Sequence, residues 1–411
     1  MIPAIASLHA HTILDSRGHP TVEVELVAGQ GANTVCALAS VPSGASTGKH
    51  EALELRDGGK RFLGLGVQKA IRNIERVIAL RLKGIDCRQQ EKIDRLMIKL
   101  DGTKNKSKLG ANSILAVSLA CARAAALVEG KELWQYIHKL AKVKQKPILP
   151  KPFFNVINGG KHADNELSFQ EFMVVPQMKS FAENLLVASE IYHVLKQNLQ
   201  QQGKSTAVGD EGGFAPRVRN AEEALNLLMK AIKDAGYAGK VDLALDCAAS
   251  GFFAGKRYIV DGKKLTKEKL LEYYLKSIKK YSIISIEDPF HQDDFQGFAE
   301  LRKKSGIQVV GDDLTVTNVA RIKKAIAEQS CNCLLLKVNQ IGTLSEALEA
   351  VRLAYQAGWK VMVSHRSGET EDSFIADLAV GIGCGMIKAG APCRGERTAK
   401  YNRLVRVSEQ L

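Results

Sequence analysis

Between residues 241 and 388 the sequence repeats one pattern six times: a short, mostly apolar run that stops on a charged or polar residue. Val241–Leu245 stops at Asp246, Ile283–Ile286 at Glu287, and Ile307–Val310 leads to Asp312. Leu334–Leu336 stops at Lys337, Val361–Val363 leads to Ser364-His365-Arg366, and Met386-Ile387 stops at Lys388. The stops at 246, 287, 312, 337, 365 and 388 lie 41, 25, 25, 28 and 23 residues apart. One strand, one helix and two loops need about that length. The longest gap also holds a hairpin signal, Arg257 to Leu265, and Thr343-Leu-Ser-Glu346 is a helix-capping pattern. Strands repeated in this way predict a β/α barrel, whose strands all end on one face, where barrel enzymes keep their active sites.

Lys144 to Pro152 holds three of the ten prolines and reads as a linker. Beyond it the chain has room for a barrel of about 250 residues. Before it, residues 4–43 read as three strands, with strict alternation in Thr21–Leu26 and turn residues at Ser16–Pro20. Helical patterns follow at about 66–83, 87–100, 110–129 and 132–143. The expected organisation is α/β: an N-terminal α+β domain over 1–143 with a three-stranded antiparallel sheet, a linker over 144–152, and a catalytic barrel over 153–411.

Composition narrows the function classes. Of 411 residues, 45% are apolar and 25% charged, which argues against disorder. No stretch reaches the roughly 18 uninterrupted apolar residues of a membrane span. The first residues carry no basic start and run into a turn rather than a cleavage site. Eight cysteines show no Cys-x-x-Cys pair, so buried free thiols in a reducing cytoplasm are expected and a zinc site is not. The net charge of +14 is spread evenly along the chain, and runs such as Lys303-Lys304 read as solvated helix faces. Neither a nucleic-acid partner nor a surface partner is supported.

Charged groups directly after apolar strands should sit part-desolvated in the barrel mouth, where unpaired charge is costly. Asp246, Glu287 and Asp312 come from three successive strands, and such an all-oxygen trio suits a hard cation, Mg²⁺ first. A salt-bridge network with Lys337 and Lys388 is the alternative. Lys337, beside an apolar strand and another cation, should have a depressed pKa, which suits a general base or a Schiff-base former. Glu171 and Glu211, in Gln170-Glu171 and Gly209-Asp-Glu-Gly-Gly213, are candidates for paired acid/base work. The loop Pro42–Lys49 lacks P-loop spacing and reads as a lid. Gly64-Leu-Gly66 lacks the third glycine of a dinucleotide fingerprint.

Several stretches together carry a resemblance: Asp15-Ser-Arg-Gly-His-Pro-Thr-Val-Glu-Val-Glu-Leu26, Val41-Pro-Ser-Gly-Ala-Ser-Thr-Gly48, Gly209-Asp-Glu-Gly-Gly213, Ser285-Ile-Glu-Asp-Pro-Phe290, Asp312-Asp-Leu-Thr-Val-Thr-Asn318, Leu334-Leu-Leu-Lys-Val-Asn-Gln340 and Val363-Ser-His-Arg-Ser-Gly-Glu-Thr-Glu-Asp372. From end to end the sequence resembles the enolase family. The resemblance implies an enolase-type barrel that begins with an antiparallel hairpin, and an Mg²⁺-dependent, reversible dehydration of 2-phospho-D-glycerate to phosphoenolpyruvate. It implies Lys337 as the base at C2, and Glu211 with Glu171 assisting departure of the C3 hydroxyl. It implies Asp246, Glu287 and Asp312 as ligands of one Mg²⁺ and Ser46 as a ligand of a second. It further implies Lys388 at the substrate carboxylate, Arg366 and Ser367 at the phosphate, and His162, Gln170 and His365 among the substrate contacts. A homodimer or higher oligomer such as an octamer is implied, with Glu23 and Arg406 pairing across the interface, in the cytoplasm.

Some features depart from the family pattern: Leu65 replaces a usual lysine, the Gly251–Lys269 segment is short, and the basic charge is unusual. A racemase or lactonizing relative would carry a Lys-x-Lys pair on the strand before the metal ligands, and here the strand ending at Met178 has none. A chain of this family that had lost catalysis, kept only for binding or structure, should show a substituted catalytic residue, and none is substituted.

Overall fold

The computed structural model describes residues 2–411. Strands β1 (Ile5–Leu14), β2 (Pro20–Ala28) and β3 (Val35–Ser40) form an antiparallel sheet in sequence order. The β1–β2 turn is held by buried Asp15, whose Oδ1 accepts from the backbone N–H of Arg17 at 2.8 Å and of His19 at 2.9 Å. Four helical segments follow, Gln68 to Leu82, Gln90–Asp101, Ala111–Val128 and Leu133–Ala141. The first carries a π-type turn at Ile74–Ile78. Ala111–Val128 is long and apolar enough to cross a membrane by composition alone, but 83% of it is buried against the sheet and its neighbouring helices. Its alanines and serines permit that close approach on most sides.

Eight strands close into a barrel: β4 (Lys151–Asn158), β5 (Glu171–Pro176), β6 (Val241–Asp246), then β10 (Ile283–Glu287), β11 (Gln308–Gly311), β12 (Cys333–Leu336), β13 (Lys360–Ser364) and β14 (Met386–Lys388). Between β6 and β10 lies a small outer sheet of β7 (Phe253–Ala254), β8 (Arg257–Val260) and β9 (Lys263–Leu265). The expected hairpin is its β8–β9 pair. All six expected barrel runs are strands. Only β5 runs against its neighbours, pairing antiparallel with β4 and with β6.

Strand parity explains why these mostly apolar runs end in charge. Met173, Ala244, Val310, Leu335, Met362 and Met386 fill the barrel interior. Their neighbours in sequence, such as Phe172, Leu245, Val309, Leu336, Val361 and Ile387, pack outward against the helices. Both faces are therefore apolar, as parallel barrel strands require. Two residues toward the mouth the same parity brings Glu171, Asp246, Asp312, Lys337, Ser364 and Lys388 onto the interior face. The charged layer thus rests on a dry apolar plug.

The sheet-and-helix half docks on this barrel through ion pairs and hydrogen bonds from distant parts of the chain. Arg123 grips Asp372 with two nitrogens at 2.6 and 2.8 Å, Lys106 meets Glu346 at 3.0 Å, and Ser345 donates to buried Asp94.

Candidate active site

The mouth holds a small cavity of about 20 Å³ lined by Ser46, His162, Gln170, Glu171, Glu211, Asp246, Asp312, Lys337, His365, Arg366, Ser367 and Lys388. Every residue expected at the site lines it except Glu287, which is buried alongside. Register puts Glu171, Asp246 and Glu287 in one row across β5, β6 and β10. The Lys388 ammonium donates to all three, to Glu171 at 3.1 Å, Asp246 at 3.2 Å and Glu287 at 2.9 Å. Burial works against a charged lysine, but these carboxylates hold its pKa well above the ordinary value.

Asp312 stands apart from that row and accepts from Lys337 Nζ at 2.5 Å and from Gln340 Nε2 at 2.8 Å. This contact corrects one expectation. Burial is the largest influence and pushes the Lys337 pKa down, but Asp312 and then Glu287 act against it and the net direction is up. The neighbouring cations Arg366 and Lys388 lower it by less. Asp246, Glu287 and Asp312 do not form the tightest acidic set. Among the described residues, ligand atoms within 4.8 Å of one another occur in Asp288/Asp312/Asp313 and in His162/Glu171/Glu211.

Glu171 and Glu211 are driven in opposite directions. Burial, then the charge of Glu211, raises Glu171 well above the usual carboxylate range. Burial also raises Glu211, but His162, then His365 and Arg397, hold it well below that range. Asn155 Nδ2 donates to Glu211 Oε2 at 2.9 Å. Two carboxyls pushed apart in this way can divide acid and base roles. The turn that carries Glu211 needs its glycines: a Cβ on Gly212, at φ +84°, would lie 2.5 Å from the Cys393 carbonyl oxygen.

Some participants gave no signal at the sequence level. Arg397 is fully buried and donates to His365 Nδ1 at 2.5 Å and to the carbonyl oxygens of Arg366, Ser367 and Asp210. A guanidinium only donates, so His365 Nδ1 accepts and its ring proton sits on Nε2, 3.4 Å from Glu211 Oε2. Burial lowers the His365 pKa to about 3, so the ring is neutral. Asp288 accepts from the backbone N–H groups of Asp312 and Asp313, orienting the Asp312 loop. Burial and Asp312 push Asp313 up to about 7. Glu51 pairs with Arg366 at 2.9 Å, and only the length of the Pro42–Glu51 loop could have pointed to it.

That loop lies over the mouth. Ser43 exchanges two backbone hydrogen bonds with Gly368, the Ala45 N–H donates to Ser367 Oγ at 2.5 Å, and Arg366 Nη2 donates to the Ser46 carbonyl oxygen at 3.0 Å. Gly44 is required here, because a Cβ would meet Arg366 Nη2 at 2.0 Å.

An eight-stranded barrel with one reversed strand, carboxylates and lysines on its inward face, and an arginine under a loop from a preceding domain define a barrel lyase or isomerase acting on an anion. Residues 146–411 match the family model "Enolase, C-terminal TIM barrel domain" and residues 5–137 match "Enolase, N-terminal domain". The chain is 54% identical to the enolase of Methanocaldococcus jannaschii over 411 residues, covering 99% of this chain and 95% of that relative. It is also 54% identical to the enolase of Methanopyrus kandleri, over 419 residues covering 100% of this chain and 96% of that one. The chain belongs to the enolase family.

Proposed function

We propose that Lys337, Glu211 and Glu171 carry the proton transfers of the family's reaction. The chain is a phosphopyruvate hydratase, which interconverts 2-phospho-D-glycerate and phosphoenolpyruvate plus water, and its substrate is a small phosphorylated molecule. The observation that carries the assignment is the opposed pair: Lys337 on one side of the cavity beside Asp312, and Glu211 with Glu171 on the other.

Membership in the family implies Mg²⁺. The donor set fits it. Asp246, Glu287 and Asp312 offer only hard oxygens, and buried Oε2 of Glu287 has only the Lys388 ammonium beside it, at 2.8 Å. Those three would hold one Mg²⁺ at the substrate carboxylate, and Ser46 a second shared with the phosphate. When bound, these ions supply positive charge to a carboxylate that gains a second negative charge as C2 loses its proton.

The chain's own groups do the rest. Lys337, once it has released its proton, takes the one from C2. Lys388 faces the charge that develops on the carboxylate. Arg366 and Ser367 bind the phosphate, with His162, Gln170 and His365 as further contacts. Glu211, with Glu171 beside it, assists departure of the C3 hydroxyl as water, the proton of the pair being favoured on Glu171, whose pKa burial raises. The Pro42–Lys49 loop excludes water from the charged intermediate. Phosphoenolpyruvate should appear from 2-phospho-D-glycerate when Mg²⁺ is present and disappear on chelation; turnover undiminished by chelation would overturn the metal assignment.

The domain division at 144–152 and a cytoplasmic location belong to the same reading, the latter supported by eight free cysteines of which six are buried. So does a homodimer or higher oligomer. Half-buried Glu23 lies on β2, and Arg406, with its opposite charge, is exposed on the final helix Gly395–Ser408. An exposed pair contributes only about 0–1 kcal/mol, so it tunes the interface rather than makes it. Two-fold symmetry doubles each change. Glu23→Lys should weaken the oligomer, and adding Arg406→Glu should restore part of the loss. Sedimentation of the native chain as a monomer at micromolar concentration would remove the oligomer from this reading.

A further inference from the structure

Arg397 is wholly buried on the first turn of the final helix and is not among the residues that line the reaction cavity. Its hydrogen bonds are nevertheless directed at groups around that cavity. Nη1 donates to His365 Nδ1 at 2.5 Å and to the Arg366 carbonyl oxygen at 2.6 Å. Nη2 donates to the carbonyl oxygens of Ser367 at 2.5 Å and of Asp210 at 2.9 Å. One guanidinium therefore spans the segment after β13 and the turn that carries Glu211. Its ion pair with Glu396, 3.2 Å from Nε, would anchor it to its own helix without any contact to the imidazole.

The ring contact has a chemical consequence beyond anchoring. With Nδ1 committed as an acceptor, the His365 proton on Nε2 points toward Glu211 Oε2, 3.4 Å away. The same Oε2 accepts from Asn155 Nδ2 at 2.9 Å. Two donors then face Oε2. Oε1 faces His162 Nε2 at 3.5 Å, and no contact fixes the tautomer of that ring, because its Nδ1 is buried without a partner. Oε1 is thus the oxygen left to meet a proton passing among Glu171, Glu211 and the C3 hydroxyl. In the other tautomer of His365 the Nε2 lone pair would face Oε2. Two acceptors so close repel unless a proton comes between them, and that proton would be held on the wrong oxygen.

The phosphate-binding residues have other anchors. The Arg366 guanidinium keeps Glu51, Asn339 and the Ser46 carbonyl oxygen, its N–H donates to Glu369, and Gly368 exchanges backbone hydrogen bonds with Ser43. Among the described residues, His365 Nδ1 and the Asp210 carbonyl oxygen have no donor but Arg397. Loss of Arg397 should therefore fall on the Glu211 side of the cavity.

We propose that Arg397 is a positioning residue for the dehydration step: it holds the His365 proton on Nε2, aimed at Glu211 Oε2, and so reserves Oε1 for the proton transfer that lets the hydroxyl leave. This rests on the reading that Glu211 serves dehydration. Removal of the C2 proton by Lys337, on the other side of the cavity, does not depend on it.

The test is a double-mutant cycle read by phosphoenolpyruvate formation and by exchange of the C2 proton in deuterium oxide. The amide of Arg397→Gln can donate or accept and so fixes no tautomer. This variant should turn over about 10²-fold more slowly, the usual effect of a misplaced group. Its C2 exchange and its KM for 2-phospho-D-glycerate should stay within about threefold of native. Arg397→Lys, which can only donate, should recover about tenfold of the loss. In a His365→Gln background, where no ring tautomer remains, Arg397→Gln should slow turnover by less than about threefold more, because the two residues act as one unit. Equal losses in both backgrounds, or exchange and turnover falling together, would reduce Arg397 to a structural role and overturn the proposal. Nitrogen-15 spectra of the native histidine rings at neutral pH, with His365→Gln to assign the signal, test the tautomer even if Arg397→Gln does not fold. A His365 proton on Nδ1, or on both nitrogens, would overturn the proposal as well. Glu211→Gln, assayed alongside, separates the two levels. If it keeps exchange and loses dehydration, failure of the Arg397 cycle falls on this inference alone; if it loses exchange too, the reading of Glu211 and the inference fall together.

Discussion

Lys337→Ala is expected to abolish exchange of the C2 proton of 2-phospho-D-glycerate with solvent, whereas Glu211→Gln keeps that exchange and loses dehydration. Both variants should lose turnover by about 10⁴-fold, the upper end of what one positioned acid or base supplies. Only the exchange measurement in deuterium oxide separates them. The reason is geometric. Lys337 emerges from β12 beside Asp312, and Glu211 lies with His162, Asn155 and His365 around it. The base and the acid therefore belong to different halves of the cavity and fail at different steps. Identical exchange behaviour in the two variants would show that the roles are misassigned.

The second large effect is one of stability. Lys388→Met removes the ammonium shared by Glu171, Asp246 and Glu287, all buried, and leaves their charges facing one another. Breaking a buried ion pair from one side costs about 3–5 kcal/mol. A clear drop in denaturant midpoint at neutral pH follows. The deficit has a definite pH dependence. Burial raises the folded-state pKa values of Glu171 and Glu287 above their unfolded values. Such groups bind more protons in the folded state, so their contribution to stability grows as pH falls and is lost as pH rises. Melting of the variant should approach that of the native chain on acidification, and Mg²⁺ should raise its melting temperature by more than that of the native chain. A variant as stable as the native chain at pH 7 would show that Glu171 and Glu287 are already neutral there.

How much of this is legible in the residues follows from how local the cause is. The six barrel strands read from sequence are legible because each is a short, mostly apolar run, a property of three to six consecutive residues. Their charged ends are legible because parity along a strand is local too: Asp246 follows Ala244 on the inward face as Lys337 follows Leu335. The capping pattern at Thr343 is equally local, and Thr343 Oγ1 accepts from the Glu346 N–H. The identity of the family was legible for a different reason, the match of long motifs, and the roles of individual residues came with it.

Pairing across the fold was not legible. Lys337 is raised rather than depressed because a side chain 25 residues away comes within 2.5 Å of it, and Coulomb energy depends on that distance and not on the neighbours in sequence. Arg397 sits 32 residues from His365 on the last helix, in a stretch with no active-site pattern of its own, yet it decides which nitrogen of that ring carries the proton. The sequence alone determined which segments become strands and what chemistry stands at their ends; only the tertiary structure decided which of those charges meet, and therefore which are free to act.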